Sequence, residues 1–328
     1  MQSLLFALNA VAPIILLIAL GYLLKKIGFI SPDFAKKGNR LVFHVFLPTM
    51  LFLNVYKIEN FGSMDFGYVF YTLLMLLLIF IVSIPVVLVL EKKAERRGVL
   101  LQAAFRSNYA LIGIPLAQSL FGEEGVAVAT VLSAGVVPTL NILAVISLSV
   151  FRKDGKKPSV QKIALDVVKN PLIQGVALGL VTLGIRALFV HYDIAFRLTD
   201  LKPVYTALGY LANLATPLAL LMLGAQFEFT AVKELRREIL FGTLMRTVIV
   251  PIFGIGTAFL LFSGTFEGAH YAAFVSVFAT PVSVSSVPMA QEMDGDVTLA
   301  GQLVVWTTLI SALSVFLTSF LLRSAGIF

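Results

Sequence analysis

The sequence contains no cysteine, and it has only one tryptophan and three histidines among 328 residues. The lack of cysteine excludes disulfide bonds, thiolate metal sites and a cysteine nucleophile. His44, His191 and His270 are far apart in sequence, and no nucleophile–base or metal-ligand spacing surrounds them. The glycine-rich signature of a P-loop is also missing. We therefore expect neither an enzyme nor an ATP-driven pump, and neither a metal site nor a cofactor.

Charged residues are also scarce, at 13% of the chain against 59% hydrophobic residues. A soluble protein typically carries about a quarter charged residues. The apolar residues form long blocks such as 69–90, and about 20 such residues suffice to cross a bilayer. The sequence therefore predicts an all-α polytopic membrane protein embedded in lipid. The net charge of +7 comes from basic residues beside these blocks, which indicates membrane orientation rather than nucleic-acid binding.

Ten hydrophobic segments predict ten transmembrane helices. They are 5–24, 40–57, 67–90, 99–121, 126–151, 168–190, 204–226, 239–262, 269–291 and 297–322. Most of the 25 lysines and arginines lie in alternate connections between these segments or at their borders. Because basic residues stay cytoplasmic, we expect both termini outside the cell membrane and the central loop in the cytoplasm.

One stretch, "GIPLAQSLFGEEG" at 113–125, has a near-copy, "SVPMAQEMDGDVT" at 286–298, with the same proline, alanine, glutamine and glycine positions. Weaker matches relate 13–21 to 171–179 and 46–53 to 215–223, so segments one, two and four match segments six, seven and nine. The matches predict two repeats, 1–151 and 168–328, joined by a basic cytoplasmic linker at 152–167. Each repeat contains five predicted membrane spans. Because five is odd, the second repeat enters the membrane from the opposite side, and the two repeats are inverted. This arrangement is typical of secondary transporters with a binding site near the midplane.

Segments four and nine each contain helix-breaking residues near the middle. Asn108, Gly113 and Pro115 interrupt segment four, while Pro281 and Pro288 interrupt the serine-rich segment nine. Within a bilayer, unwound backbone survives only where protein or a wet cavity surrounds it. The half-helix N-termini favour negative charge. The breaks therefore predict a site for an organic anion, especially a carboxylate.

Residues at these breaks, together with polar residues that follow prolines in segments two and five, are candidate substrate-site residues, although each polar side chain could instead serve helix packing. The full set is Asn108, Tyr109, Gly113, Pro115, Pro281, Ser283, Ser285, Asn141, Asn54 and Thr49. His44 is a candidate proton carrier or a structural histidine. Arg106 and Arg246 are expected near the cytoplasmic ends, where their side chains can reach water, although Arg106 adjoins the break and could attract an anion. No Asp or Glu lies in the middle of a segment, which argues against a proton antiporter with paired carboxylates.

The stretch "RSNYALIGIPLAQSLFG" resembles segment four of the auxin efflux carrier family, through Asn108, Gly113 and Pro115. The resemblance covers essentially the whole chain. It implies the sodium/bile-acid symporter fold, with segments one, two, six and seven as a scaffold and the others as a moving, elevator-type transport domain in which four and nine cross. It further implies that Asn108, Pro115 and Pro281 line the substrate site, and that the protein carries auxin-like acids or dicarboxylates such as malonate.

These observations predict a secondary transporter of a small organic anion. A sodium-coupled member of the same fold is an alternative, with Gln118, Gln291 and Glu292 as cation ligands. A non-transporting membrane sensor is a third, although no segment outside the bilayer is large enough to signal. Coupling of transport to protons and coupling to sodium ions are both open alternatives. We expect the protein to form a homodimer and not to bind nucleic acid.

Overall fold

The computed structural model describes residues 2–58, 66–152, 159–262 and 264–328, and every regular element in these ranges is helical. The helices are α1 (Gln2–Lys26), α2 (Pro32–Leu41 continued through Val42–Phe46 to Leu47–Tyr56), α3 (Phe66–Leu90), α4 (Ala94–Phe105), α5 (Tyr109–Val150), α6 (Val160–Lys169), α7 (Pro171–His191), α8 (Lys202–Gln226), α9 (Arg236–Leu261), α10 (Gly268–Phe278), α11 (Ser286–Glu292) and α12 (Val297–Ser324). Single turns at Leu198–Asp200 and Ala231–Glu234 precede α8 and α9.

Six of the described helices are long and apolar enough to cross a membrane, namely α3, α5, α7, α8, α9 and α12. The prediction of an all-helical membrane protein is thereby confirmed. The number of ten spans and their inverted symmetry stay predictions. Residues 153–158 of the expected basic linker lie outside the described residues, and α6 occupies its second half.

Three helices widen into a π-helical turn just before a proline. The proline ring collides with the carbonyl group four residues earlier and provides no N–H to bond it. A wider turn relieves both problems, and such turns often occur at functional sites. The pairs of turn and proline are Val42–Phe46 with Pro48, Tyr109–Gly113 with Pro115, and Met245–Ile249 with Pro251.

Glycines allow α1 and α8 to pack backbone against backbone. A Cβ atom built on Gly224 would lie 2.0 Å from the Ile18 carbonyl oxygen, and one built on Gly21 would lie 2.1 Å from the Leu221 carbonyl oxygen. Helix α7 approaches α2 in the same way, since a Cβ on Gly175 would lie 2.5 Å from the Pro48 carbonyl oxygen. These contacts hold α1, α2, α7 and α8 together as one group of helices.

We predict that Gly224→Ala destabilises the protein, because the added methyl group forces α1 away from α8. Overpacking of this kind costs about 1–3 kcal/mol or more, so the apparent melting temperature should fall by several degrees. Gly184→Ala is the control, since no described residue lies within 4 Å of its added Cβ. Thermal denaturation of both purified variants tests this. Equal melting temperatures for the two would contradict it.

The two ends of the bundle can be told apart along α2. Near its start, Asn39 donates to Gln226 at the end of α8, and near its end Leu53 packs against Ala212 in the first half of α8. Helices α2 and α8 are therefore antiparallel. We call the two ends of the bundle the Asn39 end and the Lys57 end, after residues near the two ends of α2.

The predicted interruptions around Asn108 and Pro281 are both present, and they meet. Residues 106–108 separate α4 from α5, and residues 279–285 separate α10 from α11. The Asn108 N–H donates to the Pro281 carbonyl at 2.8 Å, and the Ser283 N–H donates to the Arg106 carbonyl at 3.2 Å. These two bonds form an antiparallel bridge between Ser107 and Val282. Each unwound strand thus satisfies backbone groups of the other at the centre of the bundle.

The prediction that Gly113, Pro115 and Pro288 also interrupt the helices is wrong, because Gly113 and Pro115 lie within α5 and Pro288 lies within α11. A π-helical turn accommodates Pro115, and Pro288 lies in a first turn, where a proline is tolerated.

The helices beyond the two breaks run in opposite directions. Gln291 lies in the last turn of α11 and contacts Asn39. The first part of α5 ends in a kink at Phe121 and Gly122, and Phe121 packs against Phe328 beyond the end of α12. Helix α12 begins beside the Asn39 end and has 28 residues, a length of about 42 Å. The kink therefore lies near the Lys57 end.

Candidate functional site

A cavity of about 760 Å³ lies between the α1–α2–α8 face and the two breaks. Apolar residues form much of its wall, including Ile14, Leu17, Met50 and Leu140. Near the Lys57 end the wall includes exposed Lys57 and Asn213, whereas Leu220 at the opposite side is buried. The cavity therefore extends from the Lys57 end towards the breaks.

Arg106 lies at the inner end of this cavity and is only 2% exposed. Its guanidinium donates to Gln102 Oε1 at 2.8 Å, to Asn141 Oδ1 at 2.9 Å and to Ser285 Oγ at 3.0 Å, and it contacts Met289 Sδ. Among the described residues, no carboxylate lies within 4.0 Å of it. The neutral acceptors orient the guanidinium but leave its charge uncompensated.

Several polar atoms beside Arg106 are buried without a partner among the described residues. They are Asn108 Nδ2, Ser107 Oγ, Gln102 Nε2 and Ser286 Oγ. A buried polar atom without a hydrogen bond is costly. Because Asn108 and Ser107 line the cavity next to a bare positive charge, these atoms can complete their bonding with a ligand that accepts hydrogen bonds. A carboxylate has that chemistry.

The cavity brings together seven of the ten residues that the sequence pattern singled out. They are Asn108, Tyr109, Pro115, Asn141, Asn54, Ser283 and Ser285. The Tyr109 hydroxyl donates to the Ala129 carbonyl at 2.5 Å, so this tyrosine mainly ties the break to the rest of α5. Ser283 and Ser285 bond each other at 2.8 Å.

The other three residues have structural roles and are not among those that line the cavity. The Thr49 hydroxyl donates to the Val45 carbonyl on its own helix. A Cβ on Gly113 would lie 2.9 Å from the Ser276 carbonyl oxygen, so this glycine permits close packing of α5 on α10. Pro281 is buried and presents its carbonyl to Asn108.

The expectation that Arg106 and Arg246 reach water near the helix ends is wrong, because both are buried beside the breaks. The only sequence signal for Arg106 is its position two residues before Asn108, beside the break. Its burial depends on Asn141, which lies 35 residues away and closes over it from the second part of α5. Arg246 does not line the cavity. Its guanidinium donates instead to carbonyl groups at the breaks.

The candidate cation ligands are not brought together. Gln118 is exposed one turn before Phe121 and bonds Glu123 at 3.4 Å, whereas Gln291 and Glu292 lie at the Asn39 end. His44 is exposed on α2 with Nδ1 3.9 Å from a Glu292 oxygen. Asp296, just before α12, bonds Arg96 at 2.9 Å and caps the helix by accepting from the Leu299 N–H. In the described chain, no group of acidic or histidine side chains could hold a metal ion.

Comparison with known proteins identifies relatives over nearly the whole chain. A family model described as membrane transport protein matches residues 6–319. An uncharacterized transporter of Methanothermobacter thermautotrophicus is 25% identical over 96% of this chain and 98% of its own length. An uncharacterized transporter of Methanocaldococcus jannaschii is 27% identical over 69% of this chain and 70% of its own length. The chain thus belongs to the membrane transport protein family, which is the family of the auxin efflux carriers.

Proposed function

We propose that this protein is a secondary transporter of a small organic anion, which it moves across the cell membrane by alternating access. The observation that carries the proposal is the buried guanidinium of Arg106, which faces a 760 Å³ cavity and has no carboxylate partner among the described residues. An isolated buried charge is expensive in a protein. A bound carboxylate would neutralise it and gain charge-assisted hydrogen bonds.

The substrate class follows from the composition of the cavity. Arg106 and the free amide N–H groups of Asn108 suit one carboxylate at the inner end. The apolar wall suits a hydrocarbon or aromatic body. Lys57 and the amides of Asn54 and Asn213 suit a second polar group nearer the opening. Both an auxin-like acid and a short dicarboxylate fit this description.

Alternating access requires two parts of the chain that move against each other. In the proposal, α1, α2, α7 and α8 are the scaffold, and the helices around the two breaks are the transport domain. The oppositely directed helices after the breaks support an inverted repeat, 1–151 against 168–328, because each then has its counterpart at the other membrane face. We also propose that both termini lie outside the cell and that the protein forms a homodimer. A coupling proton or sodium ion has no dedicated site assigned to it.

A panel of ligands tests the function. Malonate and indole-3-acetate should raise the melting temperature of the purified protein, whereas malonamide and indole-3-acetamide should not, because the amides lack the negative charge that Arg106 requires. Proteoliposomes should then accumulate the radiolabelled form of the carboxylate that stabilises most. Equal stabilisation by the neutral amides would contradict the anion specificity.

Within the same assay, Asn108→Ala should weaken binding of the stabilising carboxylate. Its Nδ2 group is buried and has no partner among the described residues, and a hydrogen bond to a charged acceptor contributes about 1.5–3 kcal/mol. We therefore expect affinity to fall by about tenfold or more. Thr49→Ala is the matched control, because Thr49 bonds its own helix and does not line the cavity. Unchanged affinity in Asn108→Ala would show that the site is misplaced.

A further inference from the structure

A second group of polar residues joins three helices at the Asn39 end, away from the cavity. Asn39 Nδ2 donates to Gln226 Oε1 at 2.8 Å and to Gln291 Oε1 at 3.3 Å. Gln291 also receives a bond from Gln226 at 3.3 Å and donates to the Lys36 carbonyl at 3.0 Å. We call Asn39, Gln226 and Gln291 the Asn39 cluster. It ties α11 to α2 and α8.

Glu292 extends these contacts outward from the cluster. Its carboxylate lies 3.5 Å from Arg40 Nε, and its Oε1 accepts from the Gln291 side chain at 3.3 Å. Arg40 is exposed, so this ion pair is screened by water and adds little stability. The amides of the Asn39 cluster are therefore the stronger part of the contact, since Asn39 is buried and Gln226 and Gln291 are partly buried. Asn39 itself is 0% exposed.

The position of the Asn39 cluster suggests a role as a barrier. The cavity reaches exposed residues near Lys57 but stops at buried Leu220 on α8. Leu223, one turn further along α8, is also buried and packs against Gly301 in α12. Gln226 follows one turn later and bonds both Asn39 and Gln291. An apolar layer and then a polar layer thus close the path from the cavity to the Asn39 end.

We propose that the Asn39 cluster is a gate, whose hydrogen bonds keep the cavity closed at the Asn39 end while it is open at the Lys57 end. The contact joins helices that the proposed function assigns to the scaffold and to the transport domain, so the inference rests on that function. Within the part of the chain that the structure describes, Asn39 Oδ1 has no hydrogen-bond partner. The cluster is therefore incompletely bonded, which suits a contact that must open in each transport cycle.

Two single-cysteine variants test the gate, because the chain contains no native cysteine. The cysteine of Asn213→Cys measures how readily a reagent enters from the open Lys57 end. The cysteine of Leu223→Cys measures how readily it enters the closed path towards the Asn39 end. A polar maleimide should label the first quickly and the second slowly in purified protein. Adding Asn39→Ala removes two hydrogen bonds from the closed state. Labelling at 223 should then accelerate about tenfold, and labelling at 213 should slow down.

The opposite signs of these two changes separate a shifted gate from a damaged fold, since partial unfolding would accelerate both reactions. Lys36→Ala is the matched control, because only the backbone carbonyl of Lys36 accepts a bond from Gln291. It should leave both rates unchanged. Unchanged rates in Asn39→Ala, or faster labelling at both positions, would overturn the gate. The labelling experiment uses no substrate. Its result can therefore be interpreted even if none of the carboxylates tested above stabilises the protein.

Discussion

Arg106→Gln is expected to reduce the affinity for the stabilising carboxylate at least about 100-fold. Removing one partner of a buried charge pair typically costs about 3–5 kcal/mol, because the other charge stays desolvated and unpaired. The glutamine can still reach neighbours such as Asn141 and Ser285, so the cavity should keep its shape. Titration calorimetry of the purified variant measures the effect.

The stability of the ligand-free variant distinguishes this from a folding defect. Arg106 has no carboxylate partner among the described residues, so its neutral replacement removes an uncompensated buried charge. We expect the melting temperature without ligand to stay the same or to rise. A ligand-free Arg106→Gln protein that melts several degrees lower would indicate a structural role instead.

Arg106→Lys provides a graded comparison. Lysine keeps the positive charge but lacks the planar fork that donates to several acceptors at once. Binding should therefore be intermediate between the wild type and Arg106→Gln. If all three proteins bind the carboxylate equally well, Arg106 is not the anion anchor.

The sequence indicated which two segments are broken, because proline, glycine and asparagine act on the backbone of their own segment. It did not identify every breaking residue, since Gly113, Pro115 and Pro288 lie within helices. Hydrophobic blocks likewise located the long helices, which need only local composition to be recognised. Asn108, Asn141 and Ser285 could be selected because polar side chains are rare within such blocks. The bridge between Ser107 and Val282 shows why the two breaks lie together. Each supplies the hydrogen bonds that the other lacks.

The role of Arg106 could not be deduced in the same way. A basic residue near a predicted helix end normally extends to water. The pattern of basic residues therefore predicts a water-exposed cytoplasmic position for Arg106, as it does for Arg96 and Arg97. Its burial results from contacts with α5 and from Ser285, which is 179 residues away. One local signal was available, since Arg106 immediately precedes the residues of the break. The Asn39 cluster was missed for the same reason, because Gln291 meets Asn39 across 252 residues.

Arg246 differs from Arg106 in what surrounds its guanidinium. It donates to the carbonyls of Thr280 at 2.7 Å, of Ala104 at 3.3 Å and of Val277. Ala104 lies in the last turn of α4, and Val277 lies in the last turn of α10. The carbonyls in these last turns have no partner within their helices. A cation there also interacts favourably with the negative ends of both helix dipoles.

Arg246→Met should therefore destabilise the protein strongly. It leaves three buried carbonyls without this donor, and each unsatisfied group costs about 1–3 kcal/mol. We expect the apparent melting temperature to fall by more than that of Arg106→Gln or Gly224→Ala, with a lower yield of folded protein. Arg186→Met is the control, since Arg186 also donates to carbonyls, those of Tyr56 and Ile58, but lies partly exposed. Water can replace its bonds, so its loss should be milder. If the two variants melt alike, burial of the carbonyls at the breaks does not decide the stability of the region where the two breaks meet.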